Sequence, residues 1–297
     1  MKPLHDGPGD GAPQIVRVNG HAATVVSALE RGLHYGDGLF ETIACVGGQP
    51  RLLGRHMRRL ASGCRRLRLG PLDLAALGAE VRELAAAAPG RAIVKVLVTR
   101  GPALARGYGV SGRETPSRIT LRYPWPEEDS AATREGVLVR LASMRLGENP
   151  ALAGLKHCNR LEQVLARSEW DDPAIAEALM FSSSGALISG TMSNVFLVQD
   201  SRLLTPRLDR CGVAGVMREL VLEEAAAAGI AAVECRVEAA ALAQGRELFL
   251  TNALWGIRPV RSLEGERLHP GELTRRLQLR LAARLAAPAR EEDAGES

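Results

Sequence analysis

The stretch Leu152-Ala153-Gly154-Leu155-Lys156-His157-Cys158-Asn159-Arg160-Leu161-Glu162-Gln163-Val164-Leu165 decides how the rest of this chain is read. Its lysine is one of three; the others are Lys2 and Lys95, although lysine and arginine together number 38. A guanidinium stays protonated and is a poor nucleophile. An ammonium among apolar neighbours can lose its proton and attack a carbonyl. A lysine kept in an arginine-rich background and flanked by Leu152, Ala153 and Leu155 is therefore a candidate for amine chemistry. A surface lysine that escaped the arginine bias is the competing explanation.

Downstream of this stretch, residues 159–170 follow a helical pattern, with Leu161, Val164, Leu165 and Ser168 on one side. Short strands are expected at 179–181, 186–188 and 195–198, and Ser182-Ser183-Ser184-Gly185 reads as a hairpin turn. A helix over 215–228 is ended by Gly229. Strands at 233–237 and 247–250 precede a last amphipathic helix marked by Leu273, Leu277, Leu281 and Leu285. Upstream, residues 15–20 read as a strand, and Gly-punctuated residues 33–43 as a loop entering a strand. Met57, Leu60, Ala61, Cys64 and Leu67 give an amphipathic helix over 55–69. A second helix spans 72–88 and stops at Pro89-Gly90. Residues 93–99 alternate, with Val94, Val96 and Val98 on one face and Ile93, Lys95 and Leu97 on the other. Further strands are expected at 118–123 and 136–142. The Pro-rich, acidic run at 124–132 is the expected linker. It separates a smaller α/β domain (14–123) from a larger one (133–287). Residues 1–13 are expected to be disordered and the tail 288–297 frayed.

Composition narrows the function. Aromatics are 3% of the chain, which argues against single-strand nucleic-acid binding by base stacking. A net charge of +4 with interspersed acids favours anionic ligands only weakly, and Arg65, Arg66 and Arg68 read as a solvated helix face. Five cysteines are scattered with no CxxC pair, fitting free thiols in a reducing cytoplasm. No apolar run approaches a membrane span, the first 13 residues lack a signal-peptide core, and a cytoplasmic protein is expected. The six histidines show no metal-ligand spacing, so no metal is expected, and no GxSxG nucleophile occurs. His157 reads as a packed neighbour of Lys156, and Lys95 as a surface or cleft-edge lysine on a strand.

One segment suits a phosphate: Thr205-Pro206-Arg207-Leu208-Asp209-Arg210-Cys211-Gly212-Val213-Ala214-Gly215-Val216-Met217-Arg218. Two glycines precede an amphipathic helix, whose start offers unpaired amides and a positive dipole end. A plain turn and cap is the alternative. Arg55 and Arg59 could add charge-assisted bonds.

Taken in order, these segments resemble the fold-type IV class of pyridoxal 5′-phosphate (PLP) enzymes, the branched-chain/D-amino-acid aminotransferase-like family. The similarity runs from about Val16 to Val260. The Leu152–Leu165 stretch and Arg106-Gly107-Tyr108 look like the lyase branch. The 205–218 segment, Ser193-Asn194-Val195-Phe196 and Thr251-Asn252-Ala253-Leu254 match the wider class. The resemblance implies a two-domain α+β/α/β fold with the cofactor cleft between domains, in a homodimer acting on a small dicarboxylate, with no nucleic acid or membrane partner. It implies that Lys156 carries PLP and acts as acid and base. Arg59 contacts the phosphate, as do Gly215, the amides of Val216 and Met217, and the region of Ala253. Ser189 and Asn194 also belong to the cofactor site. Tyr35 and Gly36-Asp37-Gly38 lie near it, and Thr42 and Arg106 face the substrate. The implied reaction is an elimination that yields an aromatic amine; an aminotransferase is the alternative.

One position departs from the class. A glutamate is usual five residues before Asn194, where it keeps the cofactor's ring nitrogen protonated; here that position is Ser189. A serine can hydrogen-bond the nitrogen but adds no negative charge, which implies a weaker electron sink.

Overall fold

A computed structural model describes residues 11–87, 90–126 and 130–287. The tail 288–297, most of the expected N-terminal lead, Ala88 and Pro89 at the expected helix stop and residues 127–129 of the expected linker lie outside the described residues. The described chain forms two compact units: residues 11–126 with His157–Asn159, and residues 130–156 with 160–287.

The first unit is an antiparallel sheet carrying helices. Its elements are β1 (Ile15–Val18), β2 (His21–Ala22), α1 (Arg31–Tyr35), β3 (Gly38–Val46), β4 (Gln49–Pro50), α2 (Leu53–Leu67), α3 (Leu74–Ala86), β5 (Arg91–Thr99) and β6 (Ser117–Pro124). The strand order is β2-β1-β6-β5-β3-β4. The alternation expected in β5 holds: Val94, Val96 and Val98 are fully buried, while Ile93, Lys95 and Leu97 are half-buried on the other face. Burying a valine stabilises the sheet by roughly 1.5–3 kcal/mol. Met57, Leu60 and Cys64 of α2 are buried as the 3.6-residue period requires. The Asp73 side chain caps α3, accepting from Ala76 N at 2.8 Å. Arg65, Arg66 and Arg68 are exposed, as expected.

The second unit contains α4 (Ser130–Arg134), β7 (Val137–Leu146), α5 (Leu161–Arg167), β8 (Ile175–Ser182), β9 (Ala186–Gly190), β10 (Asn194–Gln199), β11 (Arg202–Pro206), α6 (Val216–Ala227), β12 (Ala232–Cys235), β13 (Val237–Glu238), α7 (Ala239–Gln244), β14 (Glu247–Asn252), β15 (Gly256–Leu263), β16 (Glu266–Arg267) and α8 (Glu272–Ala286). Its mixed sheet has the order β12-β11-β10-β14-β15-β7-β8-β9-β13, with β16 on β15. Phe196 and Phe249 face each other across β10 and β14 and stack at 4.9 Å. The Ser182–Gly185 hairpin turn is present, closed by Gly185 N donating to Ser182 O at 2.9 Å.

Four readings of the sequence change here. Residues 130–132 of the expected linker open helix α4, and Ala132 is buried in the core. Residues 33–35, expected as loop, end the helix α1, with the Glu30 side chain accepting from Gly32 N. Helix α5 is shorter than expected, and its stripe of Leu161, Val164 and Leu165 is more than half exposed, while Ala166 is buried. Strand β15 was unexpected, because Pro259 and two arginines break its apolar pattern. The proline is accommodated next to a register shift against β7 between Val260 and Ser262.

Candidate active site

Lys156 follows a loop that is fastened to the start of α6. Gly154 forms a parallel bridge with Val213: Gly154 N donates to Gly212 O, and Ala214 N to Gly154 O, each at 3.0 Å. Lys156 is two residues beyond that bridge and is half-buried. His157, Cys158 and Asn159 then join the first unit. His157 bridges to Leu39, Cys158 N donates to Gly38 O at 2.9 Å, and Asn159 Nδ2 to Gly36 O at 3.3 Å. The Gly36-Asp37-Gly38 turn thus adjoins the residues next to Lys156 in the chain.

Helix α6 begins at Val216 with Gly215 as its N-cap, and no side chain caps it. The first amides of a helix have no intrahelical partner, so the Val216 and Met217 N–H groups offer an anion-binding end. Asn194, at the start of β10, donates from Nδ2 to Val213 O at 2.9 Å. The packing is tight: a Cβ at Gly215 would sit 2.1 Å from Asn194 Oδ1. Thr251 lies opposite Asn194 in the sheet, and its buried Oγ1 has no partner among the described residues. Ala253 is in the β14–β15 turn, which Asn252 Oδ1 shapes by accepting from the amides of Leu254 and Trp255 at 3.0 and 3.1 Å. An uncapped helix start, a glycine that only a bare backbone can occupy and an orphaned hydroxyl fit a phosphate group.

Ser189 is buried in β9 and donates from Oγ to Gly190 O at 2.8 Å. Its hydroxyl can donate or accept a hydrogen bond but carries no charge. The neighbouring turn 190–193 is built on Glu177, which accepts from Thr191 N at 2.9 Å, Met192 N at 3.1 Å and Ser193 Oγ at 2.9 Å.

In the first unit, Thr42 pairs directly with Lys95 across β3 and β5. Both line a cavity of about 440 Å³ with Phe40, Ile93, Tyr123 and Trp125. Lys95 Nζ lies 5.6 Å from the centre of the Phe40 ring. The cavity does not include Tyr35 or Arg106. Arg106 is exposed in the loop that holds Tyr108, whose ring is 5.2 Å from that of Tyr35. Asp37 is held by Arg31 (2.9 Å) and Arg100 (2.7 Å). Burial alone would raise its pKa, but these two guanidinium groups hold it below the usual carboxylate range.

On the opposite face of β3, Glu41 accepts from Arg59 Nε at 2.8 Å and from Arg59 Nη2, and pairs with His56 Nδ1 at 2.6 Å. Arg55 is buried on the same helix. Burial would raise the Glu41 pKa, yet Arg59 and His56 bring it down to about 2, so it is a carboxylate at neutral pH. The five cysteines are free thiols. Burial pushes Cys45, Cys64 and Cys211 up to about 11, which keeps them protonated and non-nucleophilic near pH 7.

The family model for amino-transferase class IV matches residues 38–263, a span that holds the Lys156 loop, the α6 start, Asn194 and Thr251. The chain belongs to the amino-transferase class IV family. It is 34% identical to an aminodeoxychorismate lyase of Vibrio harveyi over 88% of this chain and 97% of that one. It is 28% identical to a putative branched-chain-amino-acid aminotransferase of Methanocaldococcus jannaschii, over 85% and 88% of the two chains. The crystal structure of 4-amino-4-deoxychorismate lyase from Pseudomonas aeruginosa superposes with a TM-score of 0.87 at 46% identity, covering 92% of this chain and all of that one. The fold-type IV class expected from the motifs is borne out, and with it dependence on PLP. The α6 end, Gly215 and Thr251 fit that cofactor's phosphate. No helix among the described residues is long and apolar enough to cross a membrane.

Reading by sequence assigned no role to Glu41, gave Thr251 no role of its own, and left the role of Lys95 open as a surface or cleft-edge lysine on a strand. The pairing of Lys95 with Thr42 depends on strand register, which no local pattern encodes. Glu41 carried one signal: an acidic residue at a position whose alternation points into the core.

Proposed function

We propose that this chain is a PLP-dependent lyase that converts 4-amino-4-deoxychorismate to 4-aminobenzoate and pyruvate, a step of folate biosynthesis. The observation that carries the cofactor assignment is the bridge from Gly154 to Val213, which joins the Lys156 loop to an uncapped helix start. The similarity to two lyases over nearly their full lengths supports elimination as the reaction.

When bound, PLP supplies a carbonyl carbon for a Schiff base and a ring that withdraws electrons. Lys156 is the residue that holds it. The Lys156 amine, freed when the substrate's own amine takes its place, would be the base that takes the substrate's C4 proton. The ether bond to the enolpyruvyl group breaks, the ring becomes aromatic, and Lys156 returns a proton to the departing enolpyruvate. The Val216 and Met217 amides, Gly215, the Ala253 turn and Arg59 hold the phosphate. Asn194 fixes the loop before α6, and Ser189 is assigned to the ring nitrogen, to which its hydroxyl brings no negative charge. Thr42, Lys95, Arg106 and Tyr35 serve the substrate side, with Lys95 and Arg106 suited to its two carboxylates.

We further infer that the chain works as a homodimer in the cytoplasm. In the first unit Val25, Leu29, Leu33, Leu104 and Tyr108 are all exposed, and Ala103 N donates to Leu29 O at 2.7 Å, which joins two of these segments. Exposed apolar side chains on neighbouring segments mark a protein contact surface. Light scattering on the eluted protein should give twice the chain mass.

A branched-chain or D-amino-acid aminotransferase is the second reading, favoured by the similarity to the Methanocaldococcus jannaschii protein. The two readings separate in one assay. The purified protein should absorb in the visible range and release 4-aminobenzoate from aminodeoxychorismate without a 2-oxo acid acceptor. A coloured protein that releases none, and instead transfers amino groups to a 2-oxo acid, supports the aminotransferase.

A further inference from the structure

We propose that Glu41 is a positioning residue for the cofactor: it fixes the plane of the Arg59 guanidinium and so the direction in which Arg59 presents its donors to the phosphate. The proposal rests on the assignment of Arg59 to that phosphate. Glu41 lies on β3, and its side chain is 1% exposed. Arg59 is on α2, and His56 lies one turn before it on the same face. Both side chains converge on the one carboxylate. Arg59 donates to it through Nε and Nη2, each to a different oxygen, and His56 Nδ1 meets Oε2 at 2.6 Å.

Such a fork admits one orientation of the guanidinium plane. A single bond would leave the group free to swing about it. The Arg59 side chain keeps 16% of its surface exposed, whereas Glu41 and His56 are closed off at 1% each. The carboxylate is thus the fully buried member of the pair and the arginine the partly exposed one. A buried ion pair is often no more stabilising than apolar side chains of the same volume would be, so stability alone does not call for one here. Orientation of the exposed partner accounts for its presence. The neighbouring residues Phe40 and Thr42 point to the other face of the sheet, into the Lys95 cavity. One strand thus braces Arg59 on one face and lines the candidate substrate cavity on the other.

The test is a double-mutant cycle on the full-length holoenzyme, dialysed against graded PLP, with cofactor retained, the 31P signal of its phosphate and the melting temperature as readouts. Arg59→Ala should weaken PLP binding about tenfold or more, and Glu41→Gln should weaken it comparably and shift the 31P signal. Adding Glu41→Gln to Arg59→Ala should cost nothing further in affinity, because Glu41 acts through Arg59. Wild-type affinity and 31P signal in folded Glu41→Gln, with loss confined to the melting temperature, would overturn the proposal while leaving Arg59 on the phosphate. A further loss of affinity in the double variant would overturn it as well. Wild-type affinity in Arg59→Ala would instead remove the assignment on which it rests. If Glu41→Gln does not fold, Glu41→Asp takes its place in the cycle. Its carboxylate is drawn back by one methylene from the position that meets Arg59 Nε and Nη2, so unchanged affinity there counts against the proposal.

Discussion

Gly154 and Val213 form a parallel bridge, with hydrogen bonds of 3.0 Å on either side of it, although 59 positions separate them in the chain. The bridge lies two residues from Lys156 and three from the first turn of α6. The proposed cofactor lysine and an uncapped helix start are thereby held by one short piece of backbone.

Lys156→Ala should abolish 4-aminobenzoate release and the cofactor adduct that borohydride traps on the wild-type chain. Arginine cannot replace it, because its guanidinium does not deprotonate near neutral pH. Peptide mapping after reduction checks the adduct, and wild-type turnover in the variant would contradict the role.

Gly215→Ala should lose cofactor. The added methyl would sit 2.1 Å from Asn194 Oδ1, so either Asn194 or the start of α6 must move. Overpacking of this kind costs about 1–3 kcal/mol, and a shift of the amides is expected to lower PLP affinity about tenfold. Dialysis and the visible spectrum measure it; a variant that retains cofactor like the wild type would remove Gly215 from the cradle.

Ser189→Glu should raise transamination relative to elimination and move the visible absorption of the bound cofactor. The native hydroxyl gives its hydrogen to Gly190 O and brings no negative charge, whereas a carboxylate would hold a proton on the ring nitrogen. Unchanged lyase and transaminase rates would show that this position does not tune the cofactor.

Lys95→Met should raise KM for aminodeoxychorismate by about tenfold with a smaller change in kcat, as loss of a carboxylate contact requires. Steady-state kinetics decide this. An unaltered KM would return Lys95 to a purely structural position beside Phe40.

Acid should weaken the first unit through Glu41. Its folded pKa is depressed from 4.5 to about 2, so its contribution is complete above about pH 4.5 and is lost as pH falls through about 2. The shift corresponds to a contribution on the order of 3 kcal/mol at neutral pH. Denaturant titrations between pH 5 and 2, pH values chosen to bracket that window, should show a steep fall in the wild type and a shallower one in Glu41→Gln. Parallel curves would mean that Glu41 titrates alike in the folded and unfolded chain.

Much of the fold was legible because periodicity reports burial. Val94, Val96 and Val98 alternate and are fully buried; Met57, Leu60 and Cys64 follow the helical period and face the sheet. The same logic misled at α5, where Leu161, Val164 and Leu165 share a face that the single chain leaves exposed. Periodicity says which residues share a face, not what covers it. Strand β15 was hidden because Pro259 is tolerated beside a register shift that only the assembled sheet provides. The site divides in the same way. Lys156 and the glycines before α6, proposed here as cofactor residues, are local signals that a sequence displays. Lys95 and Glu41 acquire meaning from register and from a helix laid across a strand, which sequence spacing does not encode.

The most direct test of the central claim is product analysis of the purified chain given 4-amino-4-deoxychorismate and no 2-oxo acid. The account predicts equimolar 4-aminobenzoate and pyruvate, lost entirely in Lys156→Ala. A PLP-loaded protein that releases neither product, but passes an amino group to an added 2-oxo acid, would contradict it.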